Sequence, residues 1–241
     1  MTKKIRIAIQ KSGRLNEDSL QILKDCGVSI DNGRDQLKAN AANFPLEVFY
    51  LRNGDIPQYL RDGVVDIAII GENVLIEKGD DIAIAQKLGF SKCRVSLAEP
   101  KSTKYGLADG ICDIVSSGST LFKNNLKEVE VMLKSEAVLA VSPKIDTERQ
   151  VILDKLLFRI RAVLKGRDYK YVLLNAPNDR LEEIIGLLPG MKSPTVLPLA
   201  EEGWSSVHSV IDKHEFWEVI DKLKDSGAQG ILVSDIEKMV L

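Results

Sequence analysis

Residues 113–126, DIVSSGSTLFKNNL, place an aspartate and a run of hydroxyl-bearing residues with one glycine directly before a segment of helical character. A turn of this kind between a strand and a helix exposes backbone N–H groups and hydroxyls, and the start of the helix adds a partial positive charge. The pattern is therefore typical of a phosphate-binding turn. Serine, threonine and glycine also cap ordinary helices, so the stretch taken alone predicts a plain helix cap equally well.

Polar segments follow three predicted strands in the first third of the chain. They are QKSGR after the strand at 5–10, LRNGD after the strand at 46–52 and IGEN at the end of 65–73. Nearly continuous apolar runs that alternate with helical segments predict a mostly parallel sheet, buried on both faces. Ligands of such sheets bind at the carboxyl ends of the strands. The three segments together therefore predict one shared cleft.

Basic side chains occur in two of these segments. Lys11 and Arg14 follow the first strand, and Arg52 follows the second. Lysine and arginine suit a pyrophosphate group, and a guanidinium binds phosphate oxygens through two donors. The alternative for each position is a charged turn on the surface.

Composition excludes several classes of function. Apolar residues make up 44% of the 241-residue chain and charged residues 28%, which fits a packed globular protein. The net charge of −2 and the lack of a long basic run argue against nucleic-acid binding. The apolar runs are too short to span a bilayer, and the start of the chain lacks the pattern of a secretion signal. Three widely spaced cysteines predict free thiols and no zinc site, so we expect a cytoplasmic protein.

Residues 169–241 predict a small domain of their own. Strand and helix patterns follow one another there in the order β-α-β-β-α-β, which is the split ferredoxin-like arrangement. A length of about 70 residues with two amphipathic helices is enough for a small independent domain.

Four stretches together resemble the long form of the ATP phosphoribosyltransferase family, which catalyses the first step of histidine biosynthesis. They are IRIAIQKSGRLNEDS, FYLRNGDIPQYLRDGVVDIAIIGEN, GLADGICDIVSSGSTLFKNNLKEVEV and MKSPTVLPLA with GAQGILVSDIEKM. The resemblance runs from residue 5 to the end of the chain. It implies an α/β fold with a two-lobed, periplasmic-binding-protein-like catalytic unit and a C-terminal ferredoxin-like regulatory domain.

The same resemblance implies a division of the chain and a reaction. Catalytic lobe 1 takes residues 1–100 and 137–167, residues 101–136 are a remnant of lobe 2, and residues 168–241 form the histidine-binding regulatory domain. The reaction transfers phosphoribosyl from phosphoribosyl pyrophosphate to N1 of ATP and releases pyrophosphate. Histidine is implied as feedback inhibitor, and a homodimer or homohexamer as the assembly.

The resemblance assigns four sets of site residues. The catalytic set is Lys11, Arg14 and Arg52. The set for phosphoribosyl pyrophosphate is Asp113, at the ribose hydroxyls, with Ser116, Ser117, Gly118, Ser119 and Thr120 at the 5′-phosphate. The set for ATP or pyrophosphate is Ser12, Gly13, Asp55, Glu72 and Asn73. The set for inhibitory histidine is Asn175, Met191, Ser193, Thr195, Ser209, Val210 and Gly230.

The chemistry of these substrates leads to two further expectations. Phosphoribosyl transfer passes through an oxocarbenium-like state, so placing two anionic substrates and stabilising the departing pyrophosphate supply most of the catalysis. Two polyphosphates need cations, which predicts Mg²⁺, although no metal ligand is assigned.

Family members can carry aspartate where this chain has Asn175, whose amide attracts an ammonium group less strongly. For Met191 and Val210, packing in the core is an equally good explanation.

The chain departs from the family pattern between SLAEPK and GLAD, where about forty residues of the second lobe are missing. A lobe shortened in this way is expected to expose apolar surface and to leave sheet edges unpaired. An engineered deletion, omission of a segment from the written sequence and a natural loss are the three explanations, and the intact flanking motifs favour the first two. A catalytically impaired or inactive variant that keeps histidine binding and assembly is therefore the alternative function. A solute-binding protein is a third, without an export signal to support it.

Overall fold

A computed structural model describes residues 3–31, 37–79, 81–101, 108–188 and 193–240. The strands are β1 (Ile5–Gln10), β2 (Lys38–Asn40), β3 (Leu46–Leu51), β4 (Ile67–Gly71), β5 (Ala83–Lys87), β6 (Cys93–Pro100), β7 (Ile111–Val115), β8 (Leu126–Ser135), β9 (Ala137–Val141), β10 (Tyr169–Pro177), β11 (Thr195–Pro198), β12 (Trp204–Asp212) and β13 (Gln229–Asp235). The α-helices are α1 (Arg14–Asp25), α2 (Ile56–Arg61), α3 (Glu72–Lys78), α4 (Ser119–Lys123), α5 (Thr147–Arg167), α6 (Leu181–Leu187) and α7 (Phe216–Asp225). The chain divides into two compact units, Met1–Phe158 and Arg159–Leu241, with the boundary inside α5.

The larger sheet of the first unit has six strands in the order β2-β3-β1-β4-β9-β5. β1 is parallel to both β3 and β4, whereas the other three neighbouring pairs are antiparallel. The prediction of a mostly parallel sheet is therefore wrong outside its centre. β2 and β3 are antiparallel because the short connection between them leaves no room for a crossover. The chain builds the second sheet between β5 and β9, and β9 then runs antiparallel to both of its neighbours.

The centre of this sheet is buried on both faces, as its nearly continuous apolar strands predict. Ile67, Ile69 and Ile70 of β4 are fully buried, although alternate residues point to opposite faces. Helices α2 and α3 cover one face through a cluster that includes Leu60 and Leu75.

The parallel strands β3, β1 and β4 end at the same edge of the sheet, since their carboxyl ends point the same way. The segments that follow them thus lie along one edge. Helix α1 begins at Arg14, so Asn16 lies in its first turn. Gly13, at a φ of +86°, makes the turn into the helix, and the Asn16 side-chain amide donates to the Gln10 carbonyl at 2.6 Å.

A second, antiparallel sheet of the first unit has three strands in the order β7-β6-β8. Helix α4 covers one face, where Ala98, Val115 and Leu121 are buried together. The opposite face carries exposed apolar side chains, among them Leu97 at 39% and Ile114 at 55% exposure. An apolar sheet face with this exposure is unusual for a folded protein and indicates that something normally covers it.

The second unit contains a four-stranded antiparallel sheet in the order β11-β12-β10-β13. Its elements follow the chain order β10-α6-β11-β12-α7-β13. Both helices belong to the core on one face of this sheet, where Ile184 of α6 and Leu223 of α7 join Val172 and Val207. Within the described ranges of the chain, no helix combines the length and the apolar character needed to cross a membrane.

A buried ion pair connects the central strands with the start of α5. The carboxylate of Asp66, whose side chain is only 3% exposed, accepts hydrogen bonds from Nε and Nη2 of Arg6 at 3.0 and 2.7 Å. It also accepts the backbone N–H of Arg6 at 2.8 Å and lies 3.3 Å from the Arg149 guanidinium. A carboxylate held by two cations is satisfied in the fold, and its loss leaves both guanidinium groups without their shared partner.

We therefore expect Asp66→Asn to lower the free energy of unfolding by about 3 kcal/mol, since it removes the charge from a buried pair and leaves its shape. Urea denaturation followed by circular dichroism measures this change. Asp81→Asn is the matched control, because Asp81 forms an exposed pair with Arg61 and its loss should have a much smaller effect. Equal effects of the two substitutions would contradict the proposed role of burial.

Candidate active site

The turn at 116–118 connects the end of β7 with the start of α4. Gly118 occupies the N-cap position in the left-handed conformation, at a φ of +80°, and α4 has no side-chain cap. The hydroxyls of Ser117 and Ser119 lie 3.0 Å apart in a hydrogen bond, and the backbone N–H of Ser119 donates to the Ser117 hydroxyl at 3.4 Å. The hydroxyl-rich residues therefore shape the turn itself, and a glycine takes the capping position.

A charged pair supports this turn from the neighbouring strands. Arg94 of β6 donates through Nη1 to the Ser116 carbonyl at 3.1 Å. Its Nε and Nη2 donate to the two carboxylate oxygens of Glu128 at 2.5 and 2.8 Å. The Ser96 hydroxyl also donates to Glu128, at 2.5 Å. The hydrogen bonds from Arg94 and then Ser96 stabilise the carboxylate and lower the pKa of Glu128 to about 2.

One cavity of about 350 Å³ joins this turn to the edge of the larger sheet. Ser116 lines it from the turn and Glu72 from the end of β4. The complete lining is Glu72, Lys87, Lys92, Cys93, Arg94, Ser116, Lys134, Ser135 and Glu136. The end of β4 and the predicted phosphate turn thus face a common space.

Basic side chains outnumber acidic ones in this cavity. Glu72 pairs with Lys87 at 3.0 Å, and Glu136 accepts the backbone N–H of Gly89 at 2.9 Å. Lys134 lies directly opposite Arg94 in the β6–β8 pairing. Like charges opposite each other repel, so an anion in the cavity would relieve this arrangement.

The sequence did not predict the four basic side chains of this cavity, which are Lys87, Lys92, Arg94 and Lys134. They come from β5, from the connection after it, from β6 and from β8, which belong to two different sheets. The two basic residues of KCR at 92–94 are a signal in the sequence for a site that binds anions. Their position near Lys134 depends on strand pairing, which the sequence does not reveal.

Asp113 and Thr120 line a second cavity, of about 530 Å³, together with Lys123. Asp113 is exposed, and its Oδ1 accepts the backbone N–H of Ile114 at 2.7 Å. The predicted residues for phosphoribosyl pyrophosphate therefore divide between the two cavities, with Ser116 in one and this pair in the other.

The predicted residues of the first two strand ends lie outside the first cavity. Lys11, Arg14, Arg52 and Asp55 are exposed, and none is among the described residues that line it. Ser12 and Gly13 are exposed in the turn before α1.

Two of the predicted polar residues make contacts that tie structural elements together. Nε of Arg14 lies 3.8 Å from the carboxylate of Asp18, which accepts a hydrogen bond from Ser91 at 2.8 Å. The Asn73 backbone donates to the Ser135 hydroxyl, and this hydroxyl donates to the Asn73 side chain, both at 3.0 Å. Asn73 thus holds α3 against the end of β8.

The residues predicted to bind inhibitory histidine lie on both faces of the sheet in the second unit. The strand register puts Asn175, Thr195 and Val210 on one face and Ser209 on the other, which the helices cover. The Ser209 hydroxyl is buried and lacks a hydrogen-bond partner among the described residues. A side chain at Gly230 would approach Asn175 to 3.4 Å, and Ser193 is exposed. Met191 lies outside the described residues.

The donor set is compatible with Mg²⁺ carried by a polyphosphate. In the described part of the chain, no three His, Cys, Asp or Glu side chains are grouped closely enough to hold a metal ion themselves. Mg²⁺ in phosphate-transfer sites takes only one or two carboxylates besides phosphate oxygens and water. Glu72 and Asp113, one at each cavity, are ligands of this type.

Comparison with known proteins identifies the family. The family model described as ATP phosphoribosyltransferase matches residues 52–106 and 102–162, and the one described as HisG, C-terminal domain matches 166–238. An ATP phosphoribosyltransferase of Cytophaga hutchinsonii is 46% identical over 285 aligned positions, which cover 100% of each chain. The chain belongs to the ATP phosphoribosyltransferase family. The resemblance inferred from the sequence is thereby confirmed.

Two further relatives agree with this membership. An ATP phosphoribosyltransferase of Bacteroides thetaiotaomicron is 46% identical over 282 positions, covering 98% of this chain and 100% of the other. Among solved structures, an ATP phosphoribosyl transferase (HisG:HisZ) complex from Thermotoga maritima has a TM-score of 0.57 at 23% identity. It covers 65% of this chain and 96% of the other, and it supports the fold alone.

The alignments also show a length difference within the chain. The alignment with the Cytophaga protein has 285 positions, whereas the chain has 241 residues, so 44 positions have no residue here. The ATP phosphoribosyltransferase model matches in two pieces that meet at 102–106.

The left-handed turn at Gly118 leads to a stability prediction. Gly118→Ala should lower the free energy of unfolding by about 1 to 2 kcal/mol, because alanine disfavours a positive φ. Space does not limit this site, since an added Cβ would meet Arg94 only at 3.8 Å. Gly186→Ala is the control: it lies inside α6 with nothing within 4 Å, and it should raise stability by about 0.5 to 1 kcal/mol. Thermal unfolding of both variants measures the two signs, and a stabilising Gly118→Ala would contradict the turn geometry.

Proposed function

We propose that this protein is an ATP phosphoribosyltransferase. It transfers the phosphoribosyl group of phosphoribosyl pyrophosphate to N1 of ATP and releases pyrophosphate, as the first step of histidine biosynthesis. The observation that carries the proposal is the cavity that the turn residue Ser116 and the strand-end residue Glu72 line together with four basic side chains. Such a cavity suits a polyanionic substrate held between a sugar-phosphate site and a pyrophosphate site.

The turn after β7 and the neighbouring edge of the larger sheet have complementary roles in the proposal. The turn from Ser116 to Thr120 binds the 5′-phosphate through hydroxyls and N–H groups, and Asp113 binds the ribose hydroxyls. Lys11, Arg14 and Arg52, at the neighbouring sheet edge, reach the polyphosphates of the substrates, with Ser12, Gly13, Asp55, Glu72 and Asn73 as further contacts. The charge that develops on the leaving pyrophosphate is then met by fixed cations. Mg²⁺ bound to the polyphosphates supplies additional charge neutralisation beside Glu72 and Asp113.

We also propose that the second catalytic lobe is shortened. The 44 aligned positions without a residue and the family match that divides at 102–106 support this proposal. The exposed apolar face around Leu97 and Ile114 supports it as well, because a lost segment uncovers the surface on which it packed. The sequence assigned residues 1–100 and 137–167 to lobe 1 and 101–136 to what remains of lobe 2. Because β6 (Cys93–Pro100) pairs with β7 and β8, this strand goes with the remnant of lobe 2 in our proposal.

The C-terminal domain, residues 168–241, is in this proposal a ferredoxin-like domain that binds inhibitory histidine. Its chain order and its antiparallel sheet order β11-β12-β10-β13 support the ferredoxin-like assignment. Asn175, Thr195 and Val210 share one sheet face, on which the ligand binds, and Met191, Ser193 and Gly230 complete the proposed set. Ser209 leaves the predicted set, because its side chain lies on the opposite face, under the helices. The proposal also includes allosteric inhibition, assembly as a homodimer or homohexamer, and a cytoplasmic location.

The function is tested by pyrophosphate release in the presence of ATP, phosphoribosyl pyrophosphate and Mg²⁺. We expect release that requires both substrates, and we expect Thr120→Ala to raise KM for phosphoribosyl pyrophosphate about tenfold, since it removes a hydrogen bond to a charged group. An intact mass of 26.7 kDa for the purified chain ensures that the shortened form is the one assayed. Absence of release, together with intact histidine binding, would favour the inactive variant instead.

Histidine binding has its own test by titration calorimetry. Asn175→Asp should tighten binding severalfold, because a carboxylate attracts the ammonium group of the ligand more strongly than an amide does. Asn178→Asp is the control, since it adds the same charge three positions away and can still accept the hydrogen bond from Ser205. Equal effects of both substitutions would place the ammonium group elsewhere.

A further inference from the structure

We propose that Arg94 and Glu128 are positioning residues, which hold the phosphate turn at 116–118 in its binding conformation. The inference deepens the proposed function and rests on it, because it concerns how that turn is prepared for a sugar phosphate. Both residues belong to the sheet behind the turn, in β6 and β8.

Arg94 is fixed by two partners at once. Two of its nitrogens form a bidentate pair with Glu128, and the third donates to the Ser116 carbonyl. A guanidinium is planar and rigid, so fixing two of its nitrogens also fixes the direction of the third. The position of the Ser116 carbonyl is therefore determined by the Glu128 carboxylate.

Glu128 is in turn connected to the core of its sheet. It accepts a hydrogen bond from the hydroxyl of Ser96, which is fully buried on β6. It also lies opposite Ala98, another fully buried residue of the same strand. The chain of contacts thus runs from the core through Ser96, Glu128 and Arg94 to the turn.

The turn needs such support because its own interactions are few. Gly118 loses much conformational freedom when it is held at a positive φ, and the helix after it has only five residues. A site that is rigid before the ligand arrives binds it with a smaller loss of entropy. The external hydrogen bond to Ser116 supplies this rigidity at the first residue of the turn.

The geometry also explains why an arginine and a glutamate occur together. Arg94 lies opposite Lys134 across the β6–β8 pairing. Without Glu128, these two like charges would repel and Arg94 would lose the partner that fixes its direction. Glu128 therefore keeps the guanidinium, at the wall of the cavity, in contact with the Ser116 carbonyl.

The test uses the full chain and two variants. Arg94→Lys keeps the positive charge but loses the rigid three-way contact, and Glu128→Gln keeps the shape but loses the charge that holds Arg94. Arg61→Lys is the matched control, because Arg61 likewise holds a carboxylate, that of Asp81, with two nitrogens and donates to the backbone carbonyl of Lys78. Affinity is measured by calorimetry with two probes, ribose 5-phosphate and ATP.

We expect both variants to weaken ribose 5-phosphate binding about tenfold and to leave ATP affinity within about twofold, whereas Arg61→Lys changes neither. In turnover assays the same variants should raise KM for phosphoribosyl pyrophosphate more than they lower kcat. A general loss of structure would weaken both probes together and lower the unfolding temperature, which separates it from a positioning effect.

Three results would overturn the inference. Unchanged ribose 5-phosphate affinity in Arg94→Lys would show that the turn needs no support from the guanidinium. A loss in Arg94→Lys without any loss in Glu128→Gln would make Arg94 a direct ligand of the phosphate. Equal loss of ATP affinity would make the pair a general structural element. If the unaltered chain binds no ribose 5-phosphate but releases pyrophosphate, this inference fails and the proposed function stands, whereas the lack of both would refute both.

Discussion

The antiparallel pairing of β9 with β4 determines where the two sheets of the first unit meet. Gly71 at the end of β4 lies opposite Ala137 at the start of β9, and the Glu72 N–H donates to the Glu136 carbonyl at 2.9 Å. The outgoing connection after β5 is held at the same place, since Leu88 donates to the Ala137 carbonyl. Both connections between the two sheets therefore lie beside the end of β4. The second sheet begins at the same place.

This constraint explains the chemical character of the cavity. Residues from β5, β6 and β8 converge at the crossing, and each brings a basic side chain beside Glu72. Two of these cations have carboxylate partners, Glu72 for Lys87 and Glu128 for Arg94. The remaining positive charge, on Lys92 and Lys134, is suited to a polyphosphate, because the attraction of cations offsets the hydration that an anion loses on binding.

The second sheet combines a well-supported turn with an uncovered surface. The face toward α4 holds the buried Ser96, the Arg94–Glu128 pair and the packing of Leu121. The opposite face exposes Leu97, Ile114 and Met132. The elements that shape the turn at 116–118 are thus on the face that helix α4 covers.

Much of the local structure was predictable from residue order. Alternation of apolar runs and helical segments predicted β1, β3 and β4 correctly, because strands buried on both faces need continuous apolar sequence. The motifs around Gly118 and Lys11 identified the family, since they depend on neighbours in sequence. Short strands such as β2 and β5 carry too little pattern to be recognised.

Sequence by itself thus determined the family and the succession of most elements. Only the tertiary structure decided that β9 and β5 run antiparallel, that Ser116 and Glu72 share a cavity, and that Lys87, Arg94 and Lys134 surround it. The physical reason is that local patterns record which side of an element is buried, whereas the partners of an element are chosen by hydrogen bonds between strands far apart in the chain. Arg94 and Glu128 are 34 positions apart, and nothing in their sequence surroundings marks them as a pair.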